Sequence, residues 1–248
     1  TFNGNVYGGN VGQTGAKAAN AVLTGAVSLT IDCSDAAVCL NGNVFGASMG
    51  AGIVGGDVTV TFTGDGDNLH FGDSSFISGD SEYAYDKTTY VNGSKALVFD
   101  GFTGCFEGNF QGPVFDAVTV RNGSAVNVCG GQVNQDFELV STWNFELVGT
   151  EAVMVTDDDN ANNVKNNFRG DTINLTFADE AESVVAGTDW TVYQGTAATT
   201  KGWNRLASVT IDGVDAMATM EGSYLAWTTE EYKVYLDANK DIRLAKLA

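Results

Sequence analysis

The chain has 248 residues and a formal net charge of −19, enough length to bury a substantial core and enough negative charge to repel phosphate backbones and anionic membrane surfaces. Nucleic acid is thereby disfavoured as a partner, and no run approaches the roughly 20 apolar residues of a membrane helix. Thirty-one glycines against a single proline, Pro113, fit neither collagen nor a disordered low-complexity chain and point to many short strands joined by tight turns.

The first residues, Thr1-Phe2-Asn3-Gly4, lack the basic and apolar regions of a signal peptide, so the chain reads as mature or as an excised fragment. A near-repeat follows at once. Phe2-Asn3-Gly4-Asn5-Val6-Tyr7-Gly8-Gly9 returns as Leu40-Asn41-Gly42-Asn43-Val44-Phe45-Gly46-Ala47. Each copy leads to a strand in which apolar and small polar residues alternate, Val27 to Ile31 after the first and Val58 to Phe62 after the second. A unit recurring at about 31 to 38 residues cannot bury its apolar face alone and needs neighbours stacked on it. Further short strands are predicted at Ala96 to Phe99, Val118 to Val120 and Val126 to Val128. The Asn-Gly pairs at 3–4, 41–42, 92–93 and 122–123 suit turns that need a positive φ. Regular short strands without paired hairpins predict an all-β chain whose residues 1–150 form a Gly-rich parallel β-solenoid, or β-helix.

Composition changes near residue 150. Of the 31 glycines, 25 lie at or before Gly149, while Trp143, Trp190, Trp203 and Trp227 all lie later than residue 142. Longer alternating strands are predicted at Thr142 to Leu147, Thr172 to Phe177 and Trp190 to Tyr193, and a hairpin at Glu231 to Leu236 with Asp241 to Leu244. Residues 151–248 are therefore expected to form an antiparallel β region that caps the solenoid, since an open sheet edge invites aggregation.

The Gly-Asn-Val-Tyr-Gly-Gly segment, the Gly-Asp-Val-Thr-Val-Thr-Phe strand, Leu97 to Gly104 with Phe106 and Gly108, Trp143-Asn144-Phe145, Val209 to Val214 and the final Leu244-Ala245-Lys246-Leu247-Ala248 resemble the β-solenoid passenger regions of autotransporter-like bacterial surface proteins. The resemblance covers most of the chain and implies cell-surface display or secretion, with no reaction attached. It leaves two classes in competition. One is a non-catalytic structural or adhesive module that meets a host or cell-surface glycan or protein, or a second copy through its coil ends. The other is an extracellular polysaccharide lyase or glycosidase on the same scaffold.

Candidate sites are few. Cys33, Cys39, Cys105 and Cys129 contain no CxxC pair, and with His70 the sole histidine zinc ligation is short of ligands. Disulfides are the better reading, Cys33 with Cys39 and Cys105 with Cys129, at least one of the two being formed, although four cysteines allow three pairings. Asp65, Asp67 and Asp73 stand in a Gly-rich turn where carboxylates and carbonyls can bind Ca²⁺. Tyr83, Tyr85 and Tyr90 lie among charged residues, where exposed tyrosines can contact a sugar or a protein surface. An enzyme would draw its carboxylates from Glu107, Asp116 and Glu138, with Arg121 the only arginine of the first 150 residues. No Gly-x-Ser-x-Gly elbow accompanies His70, which reads as a polar strand residue.

Overall fold

A computed structural model describes residues 1–11, 22–73, 75–82, 89–110, 115–128, 140–156, 168–178, 187–195, 200 and 202–247. They are all-β apart from two 3₁₀ turns, Gly66–Asn68 and Trp203–Arg205. The first pass of the chain contributes β1 (Val6–Tyr7), β2 (Val22–Leu23), β3 (Val27–Cys33) and β4 (Val38–Leu40). The second contributes β5 (Val44–Phe45), β6 (Ile53–Val54), β7 (Val58–Asp65) and β8 (Leu69–Phe71). Each strand of the second pass lies parallel to its counterpart in the first, with Val6 beside Val44, Val22 beside Ile53, Val27 beside Val58 and Val38 beside Leu69. The two similar segments of sequence are thus spatial neighbours, and Tyr7 stacks on Phe45 with ring centroids 5.3 Å apart. Asn41 Nδ2 donates to Asn3 Oδ1 (3.0 Å), and the backbone N–H of Asn43 donates to Asn5 Oδ1 (2.9 Å), which ties the asparagines of the repeat across the same step.

Later passes are shorter in strands. β9 (Phe76–Ser78) and the long β10 (Lys95–Phe106) are followed by β11 (Asn109–Phe110), β12 (Ala117–Arg121) and β13 (Ala125–Val128). Next come β14 (Thr142–Leu147) with β15 (Met154–Thr156), and β16 (Thr172–Phe177) with β17 (Asp189–Gln194). β18 (Ser208–Ile211) closes a parallel series in which β3, β7, β10, β12, β14, β16 and β18 lie side by side. β10 bends at Gly101, whose φ of 63° is left-handed, so that its second half pairs with β13 instead. The strands predicted at Thr142 to Leu147, Thr172 to Phe177 and Trp190 to Tyr193 exist, but the first two pair in parallel with their sheet neighbours. Parallel pairing therefore continues past residue 150. The composition shift marks a change in what fills the interior, from glycine turns and phenylalanines to tryptophans, and not a change of pairing.

Antiparallel pairing begins at β19 (Val214–Asp215), which folds back on β18. It continues through β20 (Met217–Glu221), β21 (Tyr224–Thr228), β22 (Tyr232–Leu236) and β23 (Ile242–Lys246), the last lying along β17. The expected hairpin of β22 and β23 is present, with Lys240 at φ 75° in its turn. The largest sheet is consequently mixed rather than wholly parallel. Its two path ends, β19 and β20, are separated in sequence by Ala216 alone, so the sheet nearly closes on itself.

Glycine has a more specific part than turn-making. Of the four Asn-Gly pairs, only Asn122-Gly123 takes positive φ at both residues, 53° and 74°. At Asn41-Gly42 and Asn92-Gly93 the glycine is needed because the neighbouring pass comes too close, as a Cβ on Gly42 would meet Gly4 backbone at 2.4 Å, whereas one on Gly4 would meet nothing. Just before the long strands, a Cβ on Gly56 would sit 2.7 Å from the Ala26 nitrogen, and one on Gly93 would sit 2.5 Å from the Gly56 carbonyl carbon.

Alternation sends every second residue of these strands inward. Phe62, Phe99, Phe102 and Phe106 are fully buried, with Phe62 and Phe99 each 5.0 Å from Phe106 between ring centroids. Further along, Trp143, Phe168 and Tyr193 continue the same interior. Burying each large side chain contributes about 1.5–3 kcal/mol, which makes this column the main source of cohesion between passes.

Candidate functional surface

The outward residues of the parallel series form columns. Thr119, Asn144, Asn174 and Thr210 are in register on β12, β14, β16 and β18. Asn144 Nδ2 donates to Thr119 Oγ1 (3.0 Å), Asn174 Nδ2 to Asn144 Oδ1 (2.8 Å), and Thr210 Oγ1 to Asn174 Oδ1 (2.8 Å). A second column holds Thr142, Thr172 and Ser208, the last two joined at 2.9 Å. On the first two passes the corresponding outward pairs are Ser28 with Thr59 and Thr30 with Thr61. Each ladder amide keeps a second N–H and a free lone pair beyond the bonds just named, so the face offers donors and acceptors at the strand spacing of about 4.8 Å. Sequence reading missed this ladder, although its signal is visible in Thr-Trp-Asn-Phe and Thr-Ile-Asn-Leu, where polar residues occupy the same alternate positions.

A second polar arrangement centres on Asp80. Tyr83 and Tyr85 lie outside the described residues; Tyr90 is half-buried. Before and after Tyr83 and Tyr85 the chain is held by Asp80, which is fully buried. Its Oδ1 accepts the backbone N–H of Ser81 (2.8 Å) and of Tyr90 (2.9 Å), and its Oδ2 accepts from Thr89 Oγ1 and faces Lys95 Nζ at 3.5 Å. Beside it, Ser81 Oγ donates to Gly52 O (2.7 Å), and Ser48 Oγ donates to Asn10 Oδ1 (2.5 Å). A buried carboxylate with four donors, one of them a cation, meets its desolvation cost within the protein. This network ties Asp80 and Ser81 to Thr89, Tyr90 and Lys95.

The remaining candidates are dispersed. Asp65 caps the 3₁₀ turn by accepting the Asp67 N–H (3.0 Å), and Asp65, Asp67 and Asp73 are all exposed. Among the described residues no three His, Cys, Asp or Glu side chains come together to hold a metal ion. Cys33 and Cys39 are free thiols, which overturns their expected pairing. The reason is strand alternation: Cys33 points inward on β3 and is fully buried, with its thiol donating to Thr63 O (3.0 Å), whereas on β4 it is Leu40 that is buried and Cys39 that faces away. Burial, followed by the charge of Asp32, pushes the Cys33 thiol above its usual range. Cys105 is disulfide-bonded; its expected partner, Cys129, lies outside the described residues.

Asp116 Oδ2 accepts the backbone N–H of Lys95 (2.8 Å), Glu107 is exposed beside Cys105, and Glu138 lies outside the described residues. Arg121 is bound to Asp100 at 2.7 Å. Burial raises the Asp100 carboxyl, but hydrogen bonds from Asn122 and Arg121 and the guanidinium charge outweigh it and hold it below the usual range. His70 is exposed on β8 opposite Cys39. Among the described residues no helix is long and apolar enough to cross a membrane. Comparison with known protein families, curated proteins and solved structures finds no match.

Proposed function

We propose that the chain is a non-catalytic structural and adhesive module, displayed on a bacterial surface or secreted, and built as a β-solenoid whose passes stack in parallel and end in antiparallel hairpins. Its likeness to autotransporter-like passenger regions belongs to the same proposal, and the partner it suits is a glycan or protein on a cell surface. The observation that carries the reading is the in-register polar ladder Thr119–Asn144–Asn174–Thr210 on the outer side of the parallel series. A repeating ligand such as a polysaccharide meets a repeating row of amides and hydroxyls through many weak contacts, each bond contributing about 0.5–1.5 kcal/mol net, and their number gives avidity.

A glycan array with the intact chain, run beside reducing-sugar and unsaturated-product assays on the same preparation, tests this. Binding to one class of repeating glycan is expected, weakened several-fold by Asn144→Ala with Asn174→Ala. Turnover of any polysaccharide that is lost on Glu107→Gln or Asp116→Asn would replace the module by the enzyme.

A further inference from the structure

Lys95 and Asp80 stand where the preceding pass has apolar side chains. Lys95 opens β10 in register with Val58, which is fully buried, and Ala47 donates its backbone N–H to the Asp80 carbonyl (3.4 Å). Val58 and Ala47 belong to one apolar cluster with Val27, Val54 and Val91. One pass on, the same region holds a carboxylate that is 0% exposed and a lysine that is 7% exposed, with Nζ 3.5 Å from Oδ2. A buried ion pair is often no more stabilising than well-packed apolar residues of similar volume. Cohesion between passes therefore does not account for the exchange.

The donors around Asp80 divide between its two oxygens in the way that acyl chemistry requires. Oδ1 accepts two backbone N–H groups, from Ser81 (2.8 Å) and Tyr90 (2.9 Å). Two fixed N–H groups on one oxygen are the arrangement that stabilises the oxyanion of a tetrahedral intermediate. Oδ2 accepts the Thr89 hydroxyl and faces the lysine. A nucleophilic nitrogen and a proton-carrying hydroxyl thus meet at the oxygen that would leave.

We propose that Lys95 and Asp80 condense into an intramolecular amide. The ammonium passes one proton to Oδ2, and the freed Nζ lone pair attacks Cγ, forming the N–C bond while negative charge collects on Oδ1 under the Ser81 and Tyr90 N–H groups. A second nitrogen proton moves to Oδ2 through the Thr89 hydroxyl. The carbonyl re-forms, the Cγ–Oδ2 bond breaks, and Oδ2 leaves as water. One ammonium and one carboxylate become one neutral amide and one water, with no oxidant, reductant or further reactant. Burial of both groups side by side makes the step intramolecular, and loss of both charges removes the desolvation that the ion pair carries. The product ties residue 80 to residue 95 and constrains the unfolded chain much as a disulfide does. It is independent of glycan binding.

The intact mass of the reduced and denatured chain is the test, and the natural chain alone decides it. That chain should weigh one water less than its sequence. Trypsin should fail to cut after Lys95 and should release residues 18–87 and 88–121 as one cross-linked species, with fragmentation placing the link at Asp80 and Lys95. Lys95→Arg, which keeps a cation beside Asp80 but offers no amine, should restore the full sequence mass. Asp80→Ala should do the same. A natural chain of full sequence mass after prolonged incubation in the folded state, a water deficit that maps elsewhere, such as to the Asp65-Gly66 step, or a deficit that survives in Lys95→Arg would each overturn the proposal.

Discussion

Asp171 should make stability depend on pH in a direction opposite to that of most carboxylates. It precedes β16, is 5% exposed, and accepts the indole N–H of Trp143 at 3.1 Å. Burial pushes its carboxyl up, the Trp143 hydrogen bond pulls it down, and burial wins: the group stands at about 6 against an ordinary 3.8. Between those values the folded chain binds the proton more tightly than the unfolded one, so folding is favoured at low pH and the contribution is lost as pH rises through about 6. The full gap corresponds to at most about 3 kcal/mol, and solvent screening reduces it to about 1–2 kcal/mol. Asp171→Asn retains an acceptor for Trp143 and removes the charge. Urea unfolding of both chains from pH 4.5 to 7.5 reads the difference, in which the other carboxylates cancel. Asp32, Asp57 and Asp100, all held low, lose their contributions only as pH falls below about 4, outside this window. The natural chain should gain about 1–2 kcal/mol relative to the variant on going from pH 7.5 to 4.5. A difference that does not change with pH, or that changes in the other sense, would refute the assignment of burial as the dominant influence.

Gly56→Ala should cost about 1–3 kcal/mol by overpacking, because its Cβ meets backbone atoms of the first pass at 2.7 Å and cannot be relieved by a rotamer change; a thermal midpoint equal to that of the natural chain would show that the passes separate more easily than this spacing allows. Alkylation followed by mass measurement should label Cys39 in the folded chain and Cys33 only after unfolding, since Cys33 is buried with a raised thiol pKa. Equal labelling of both before unfolding would mean that β3 opens readily.

The near-repeat was legible because stacking places like residues beside like. Val6 over Val44 and Ile31 over Phe62 are contacts between equivalent positions, so periodicity in sequence becomes adjacency in space. The parallel pairing of β14 and β16 was not legible, since an alternating strand looks the same whichever way its neighbour runs. The glycines of the Asn-Gly pairs announce tight turns, but close approach between passes is a tertiary requirement that local sequence does not state. Cys33 and Cys39 are near in sequence, and only the phase of alternation on two different strands shows that they diverge. The buried pair of Asp80 and Lys95 is equally invisible in the chain, where both residues read as solvated charges.

The glycine approaches and the polar ladder are consequences of one constraint. Gly56 and Gly93 stand at the entrance to β7 and β10, and because no Cβ intervenes the backbone of each pass settles directly on the one before. That fixes where each long strand begins, and strand phase follows: Val27, Val58 and Lys95 share a register position, as do Ile31, Phe62 and Phe99 two steps of alternation later. A slip by one residue in any pass would turn its apolar set outward, so the aromatic column penalises every register but this one. The outward columns inherit the same phase without needing to stabilise it. Thr61, Val98 and Thr119 show how freely those positions vary, whereas the inward ones are apolar apart from Lys95, which is buried facing Asp80. Freedom on one face and constraint on the other is what allows such a stack to acquire a binding surface by substitution of outward residues while its interior, and hence its architecture, is unchanged.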